Sequence, residues 1–202
     1  MLNRTLDLLR ALNTVEPDQW KGLLEGAIVR SLEEMGYFLD SEEELALLEE
    51  LDGLQAQAAG LGSRLQRLAY RRRAARLYVS EANIEAANQT VGEILKQAKD
   101  LQAGRLTAEQ LEEVRIAEID CSVLRGDIQQ LEQNFERAYR EYRMGIGRLV
   151  APGTPTPRGD LLRLGFDLYS RLARAPREHV AASEAAQFAA EAARWGAGFS
   201  GL

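Results

Sequence analysis

VRIAEIDCSVLRGDIQQLEQNFERAYREYRMGIGRL, residues 114–149, places a small or apolar residue at alternating steps of three and four. Val114, Ala117, Cys121, Leu124, Ile128, Leu131, Phe135, Ala138, Tyr142, Gly145 and Leu149 hold that step over about five heptads. Such a stripe is too long and too narrow to be left in water, so it predicts a helix with a partner helix along its length. A second series precedes it. Leu51, Leu54, Ala58, Leu61, Leu65, Leu68, Arg72, Ala75, Val79 and Ala82 share one phase, and Ile84, Ala87, Val91, Ile94, Ala98 and Leu101 continue in a shifted one. The shift near Asn83 predicts a local discontinuity. Gly53, Gly60 and Gly62 predict a bend or break between Asp52 and Ser63.

Between the two series lies QAGRLTAEQ, residues 102–110, with Gly104 as a stop and Thr107-x-x-Gln110 as a capping box. A connection this short makes its flanking helices antiparallel neighbours. With about forty residues on each arm and a rise of about 1.5 Å per residue, the hairpin predicted over 63–150 is a rod ~60 Å long.

No stretch alternates as a strand does, and Ala, Leu, Glu, Gln and Arg dominate. The fold class that follows is all-α: an elongated helical bundle built on a long antiparallel coiled-coil hairpin, with short helices at both ends. Residues 1–40 read as an N-terminal helical pair, with Pro17 in a first turn. Residues 41–150 hold the hairpin, turning near 102–107 and opening on Ser41-x-x-Glu44 as a further capping box. Residues 151–159 carry Pro152, Pro155 and Pro157 and read as a linker. Residues 160–202 form a C-terminal helical pair with a frayed tail. There Leu161, Leu164, Leu168 and Leu172 line one helix and Pro176 opens the next.

Composition narrows the chemistry. The net charge of −6 argues against a generic nucleic-acid binder, which carries a basic domain. One cysteine allows no internal disulfide and suits a reducing, cytoplasmic setting. The N-terminus meets Arg4, Asp7 and Arg10 before any signal-type apolar core, and no run is long enough to span a membrane. Integral membrane association is therefore not expected. His179 stands alone, with Glu178 beside it but no Glu-x-x-His pattern, so neither a metal site nor a cofactor is expected. Cys121 falls on the apolar seam and reads as a small buried hydrophobe rather than a nucleophile. Phosphate loops of the P-loop or dinucleotide kind are missing, and the carboxylates fall mostly off the seam. No catalytic residue is assigned, and the chain reads as a non-enzyme.

One anomaly remains. RLQRLAYRRRAARLY, residues 64–78, holds six arginines and no acid in fifteen positions, and Arg72 sits on the seam itself. Folding the hairpin at 104–105 would set Arg72 near Glu136 and Arg137, with Arg71 and Arg73 within reach of Glu132, Glu136 and Glu141. Arg137, Arg140 and Arg143 join the same stretch of rod and leave a positive surplus. Arg64, Arg67, Arg71, Arg72, Arg73, Arg76, Arg137, Arg140 and Arg143 are thus a candidate phosphate-binding patch. Leu65, Leu68, Cys121, Leu124, Ile128, Leu131, Phe135 and Tyr142 are the candidate seam of the hairpin or of an oligomer. The leading expectation is a structural or adaptor protein that works by coiled-coil oligomerisation and protein contacts, as a homodimer and with a further protein partner. DNA or RNA binding through the arginines is the alternative, ahead of peripheral binding to anionic membranes.

Overall fold

The computed structural model describes residues 39–56, 60–150, 159–176 and 178–198, together with Ala11. Among them the regular structure is all helix, in seven segments: α1 (Ser41–Ala56), α2 (Leu61–Ser80), α3 (Ile84–Gln102), α4 (Ala108–Leu131), α5 (Phe135–Leu149), α6 (Asp160–Ala173) and α7 (Ala182–Ala197). The expected N-terminal pair and proline-rich linker lie almost wholly outside the described residues. The chain divides into two compact units, Met1–Arg67 and Leu68–Leu202, with the division inside α2.

In the first unit, α1 starts on a different cap from the expected one. Asp40, not Ser41, holds the first turn: its Oδ1 accepts Glu43 N–H at 2.9 Å and its carbonyl accepts Glu44 N–H at 2.9 Å. A carboxylate is a strong cap at the positive end of a helix, and Glu42, Glu43 and Glu44 add to the same dipole. Leu47, Leu48 and Leu51 are buried.

The second unit is built on α4. Ile119 to Leu124 are buried without a break, so this helix is covered around its circumference. α3 packs on it and buries Ala87, Val91, Ile94, Ala98 and Leu101, one stripe at helical spacing. The turn before α4 is the expected one: Thr107 Oγ1 accepts Gln110 N–H at 3.3 Å, and Gln110 Oε1 accepts Thr107 N–H at 3.0 Å. On another side, Ile119 and Val123 join a core with Ala138, Tyr139, Tyr142 and Leu149 of α5, the leucines of α6, and Ala192 and Trp195 of α7.

The long continuous arms are corrected here. The stretch from Val114 to Leu149 is two helices, and α5 folds back on α4: Tyr142 meets Asp127, and Arg115 at the start of α4 donates to the carbonyls of Arg148 and Leu149 at the end of α5. The break is a Schellman closure. Gln133 is left-handed at φ 59°, its N–H reaches Gln130 O, and Asn134 N–H reaches Gln129 O at 2.8 Å. Asn134 then caps the next helix through Arg137 N–H. The same joint divides α2 from α3, with Ala82 left-handed at φ 54°, Asn83 N–H on Tyr78 O and Asn83 Oδ1 accepting Ala86 N–H. The two joints share one pattern, Glu81-x-Asn83-Ile84-Glu85-x-Ala87 and Glu132-x-Asn134-Phe135-Glu136-x-Ala138. Three turn residues leave a step of four between Leu131 and Phe135, so the heptad count runs across the corner without a fault.

A left-handed alanine carries a steric cost that glycine lacks. Ala82→Gly is therefore expected to stabilise the chain by about 1 kcal/mol, a rise in melting temperature of about 2–4 °C for a chain of this size. An unchanged or lower melting temperature would contradict the joint.

The C-terminal pair is α6 and α7, packed antiparallel, with Leu161, Leu164, Leu168 and Leu172 all buried. Its second helix starts later than the proline suggested. Pro176 opens a turn closed by His179 N–H and Val180 N–H on its carbonyl, and α7 begins at Ala182.

Candidate functional site

Arg72 is explained by a carboxylate 48 residues away. Asp120, in the middle of α4, is fully buried, and two guanidiniums one turn apart on α2 close on it. Arg72 Nε donates to Oδ2 at 3.0 Å and Arg76 Nη2 to Oδ1 at 2.6 Å. Arg72 Nη2 also reaches Asp160 Oδ2 at 3.3 Å, at the start of α6. Isolated burial of that carboxylate would be prohibitive; two charge-assisted hydrogen bonds make it tolerable and make the three groups interdependent.

A second node lies two turns on. Arg171 of α6 holds Asp127 by a fork, Nε to Oδ1 at 2.7 Å and Nη2 to Oδ2 at 2.8 Å, and Tyr142 donates its hydroxyl to the same Oδ1 at 2.7 Å. Burial, then the charge and hydrogen bond of Asp127, push the Tyr142 hydroxyl well above its ordinary range, so it stays a donor. Gly126 makes room for the ring: a Cβ there would collide with Tyr142.

Beside this node opens a groove of about 720 Å³. It is walled by Val79, Leu131, Phe135, Tyr139, Phe166 and Pro176, with Asp127, Gln130, Asp167, Ser170, Arg171 and Arg174 as its polar part. Of the six large apolar side chains exposed among the described residues, three line it: Leu131 at 44%, Phe135 at 37% and Phe166 at 38%. Arg174 is exposed and has no side-chain partner among the described residues. His179 stands behind the rim, its ring 5.7 Å from that of Phe135 and 5.5 Å from that of Tyr139.

Asp167 lines the groove beside Arg171. Desolvation lifts its carboxyl above the ordinary value of 3.8, against the pull of Arg171, Arg163 and Arg76. A carboxyl raised on folding binds its proton more tightly when folded, so it favours the fold at low pH and loses that contribution as pH rises through its folded value. Asp167→Asn is expected to raise the melting temperature at pH 7, with the gain vanishing below about pH 4, near the unfolded value. A loss at pH 7 would mean that its ion pair with Arg171 outweighs the desolvation.

The candidate arginines fall in both units. Arg64 and Arg67 belong to the first unit, where Arg67 forks Asp52 at 2.9 and 3.2 Å. In the second unit the expected partners of Arg71 and Arg72 are replaced: Arg71 reaches Glu93 at 3.4 Å and Gln97, and Arg72 reaches Asp120. The cause is the corner at 132–134, which carries α5 away from the register of a straight hairpin. Arg73 is half-buried and also engaged. Arg143 pairs with Glu184 at 2.9 Å, and Arg140 with Glu136 at 3.1 Å in an exposed pair. Only Arg137, of the nine, has no side-chain partner among the described residues.

Of the candidate seam, Leu68, Cys121, Leu124, Ile128 and Tyr142 are buried, Leu65 is half-buried, and Leu131 and Phe135 are exposed at the corner. Burial, with the charge of Asp120, pushes the Cys121 thiol up to about 12, so it is un-ionised at neutral pH. Among the described residues no three His, Cys, Asp or Glu side chains gather as a metal site would require, and no helix is long and apolar enough to cross a membrane. Asp120, expected with the other carboxylates of its helix on a solvated face, is instead fully buried, and nothing in the local sequence singles out Asp127, Arg125 or Arg171. The available signal for Asp120 was its place beside the seam residue Cys121. Comparisons with protein-family models, curated proteins and solved structures return no match.

Proposed function

We propose that the chain is a non-enzymatic structural or adaptor protein that acts through protein–protein contact, with the groove at Leu131, Phe135 and Phe166 as its contact surface and a second copy of the chain as its first partner. The observation that carries this reading is the gathering, on one concave surface, of half the exposed large apolar side chains among the described residues, beside Arg174, which has no side-chain partner among those residues. Exposed apolar residues scattered singly need no explanation, whereas a cluster rimmed by polar groups marks an interaction surface.

Association does not run along the heptad seam in this reading. Val114, Ala117, Cys121, Leu124, Ile128, Ala138, Tyr142 and Leu149 are spent inside the chain. Nor do the arginines of residues 64–78 favour nucleic acid, since those in the second unit are committed to Asp120, Asp160, Glu93 and Gln97 or otherwise engaged.

A photo-crosslinking amino acid in place of Phe135, compared with one at Leu111, tests it. Leu111 is exposed at 51% and does not line the groove. The expected product from position 135 is an adduct of twice the chain mass, absent from position 111. Equal labelling at both sites, or none at 135, would contradict the groove as contact surface.

A further inference from the structure

We infer that a second, separate hollow binds a small phosphomonoester. It measures about 330 Å³ and is lined by Asn88 of α3, Arg125 and Gln129 of α4, and Arg137, Arg140 and Glu141 of α5. That is at the small end of the range for small-molecule pockets, about 300–1,000 Å³, and leaves room for a phosphate with a short polyol attached.

Three guanidiniums against one carboxylate set the charge of the hollow. Every other lining group is a side-chain amide, so an apolar ligand has nothing to bury against. Arg125 and Arg137 are exposed and have no side-chain partner among the described residues. Arg140 has only its pair with Glu136, both side chains largely in solvent, and such a pair holds the arginine weakly. Gln129 takes none of these guanidinium donors. Its Nε2 is spent on Glu132 at 2.5 Å, while its Oε1 is closed from solvent and has no donor. Arg125 and Arg137 are thus unspent on protein groups among the described residues, in contrast to Arg72, Arg76 and Arg171. Guanidinium forks match the paired oxygens of a phosphate, and more than one can engage the same tetrahedral group. The Asn88 amide, reaching in from a different helix, suits a hydroxyl on the attached polyol.

Calorimetric titration of the full chain at low ionic strength tests the site, using inorganic phosphate, glycerol phosphate, glycerol, sodium chloride at matched ionic strength, and a single-stranded oligonucleotide. Saturable one-to-one binding is expected for the two phosphates, tighter for glycerol phosphate, with no saturable heat from glycerol or chloride. Arg125→Gln with Arg137→Gln should weaken it at least about tenfold, the worth of one lost charge-assisted hydrogen bond. Asn88→Asp should weaken it by repulsion with every arginine retained, and Arg105→Gln, outside the hollow, should change nothing. No saturable phosphate binding, or equal affinity in the double variant, would overturn the site. Binding of the oligonucleotide alone, falling steeply with salt, would replace it with a polymer-binding surface.

Discussion

Asp120→Ala is expected to cost about 3–5 kcal/mol, the range for removing one partner of a buried ion pair. The loss comes from what stays behind. Arg72 keeps only 13% of its side chain exposed and would face a void where its carboxylate stood. Urea unfolding measures it, as a lower midpoint at unchanged slope. The network makes a sharper demand on the double variant. Replacing Arg72 and Asp120 together by Met and Leu removes both charges, and a well-packed apolar substitute for a buried pair is close to neutral. Since Arg76 would then lose its carboxylate as well, the double variant should recover most of the loss but not all of it. Additive losses in the two single variants would show that Arg72 and Asp120 are not coupled.

Gly126→Ala carries the second large effect, about 3 kcal/mol, at the upper end for overpacking a core. A methyl group there would meet the Tyr142 ring, which cannot swing aside without giving up Asp127 and its contact with Arg171. The collision predicts its own rescue. In a Tyr142→Ala background the added methyl should cost little, because the atoms it strikes are gone. Equal costs in both backgrounds would place the strain in the backbone of α4 instead. Gly165 presents the same arrangement against Trp195 between α6 and α7.

Much of the fold was legible because short-range chemistry decides it. The capping box at Thr107 and Gln110, the leucine stripe of α6 and the burial of Cys121 each depend on residues within a few positions of one another. What was hidden depends on counting across corners or on partners far along the chain. The joint at Glu132–Asn134 preserves the heptad phase, so periodicity reads straight through it. Its signal lay in Asn134 and in the matching pattern around Asn83, where residue identity rather than hydrophobicity marks the turn. Arg72 stood out as an anomaly, but its answer, Asp120, lies on another helix. A register built on one straight hairpin pointed instead to α5. The groove was out of reach for the same reason: Leu131 and Phe135 count as core in a heptad and are exposed only because the helix ends between them.

The central claim is that the chain associates through the apolar rim and not through the exposed arginines. Sedimentation equilibrium across a wide concentration range separates the two most directly. It compares the wild-type chain with a rim variant, Phe135→Glu with Phe166→Glu, and with an arginine variant, Arg125→Gln with Arg137→Gln. The account predicts concentration-dependent association for the wild type and the arginine variant, and a monomer for the rim variant with its melting curve retained. A wild type that stays monomeric at high micromolar concentration, or a rim variant that associates as the wild type does, would contradict it.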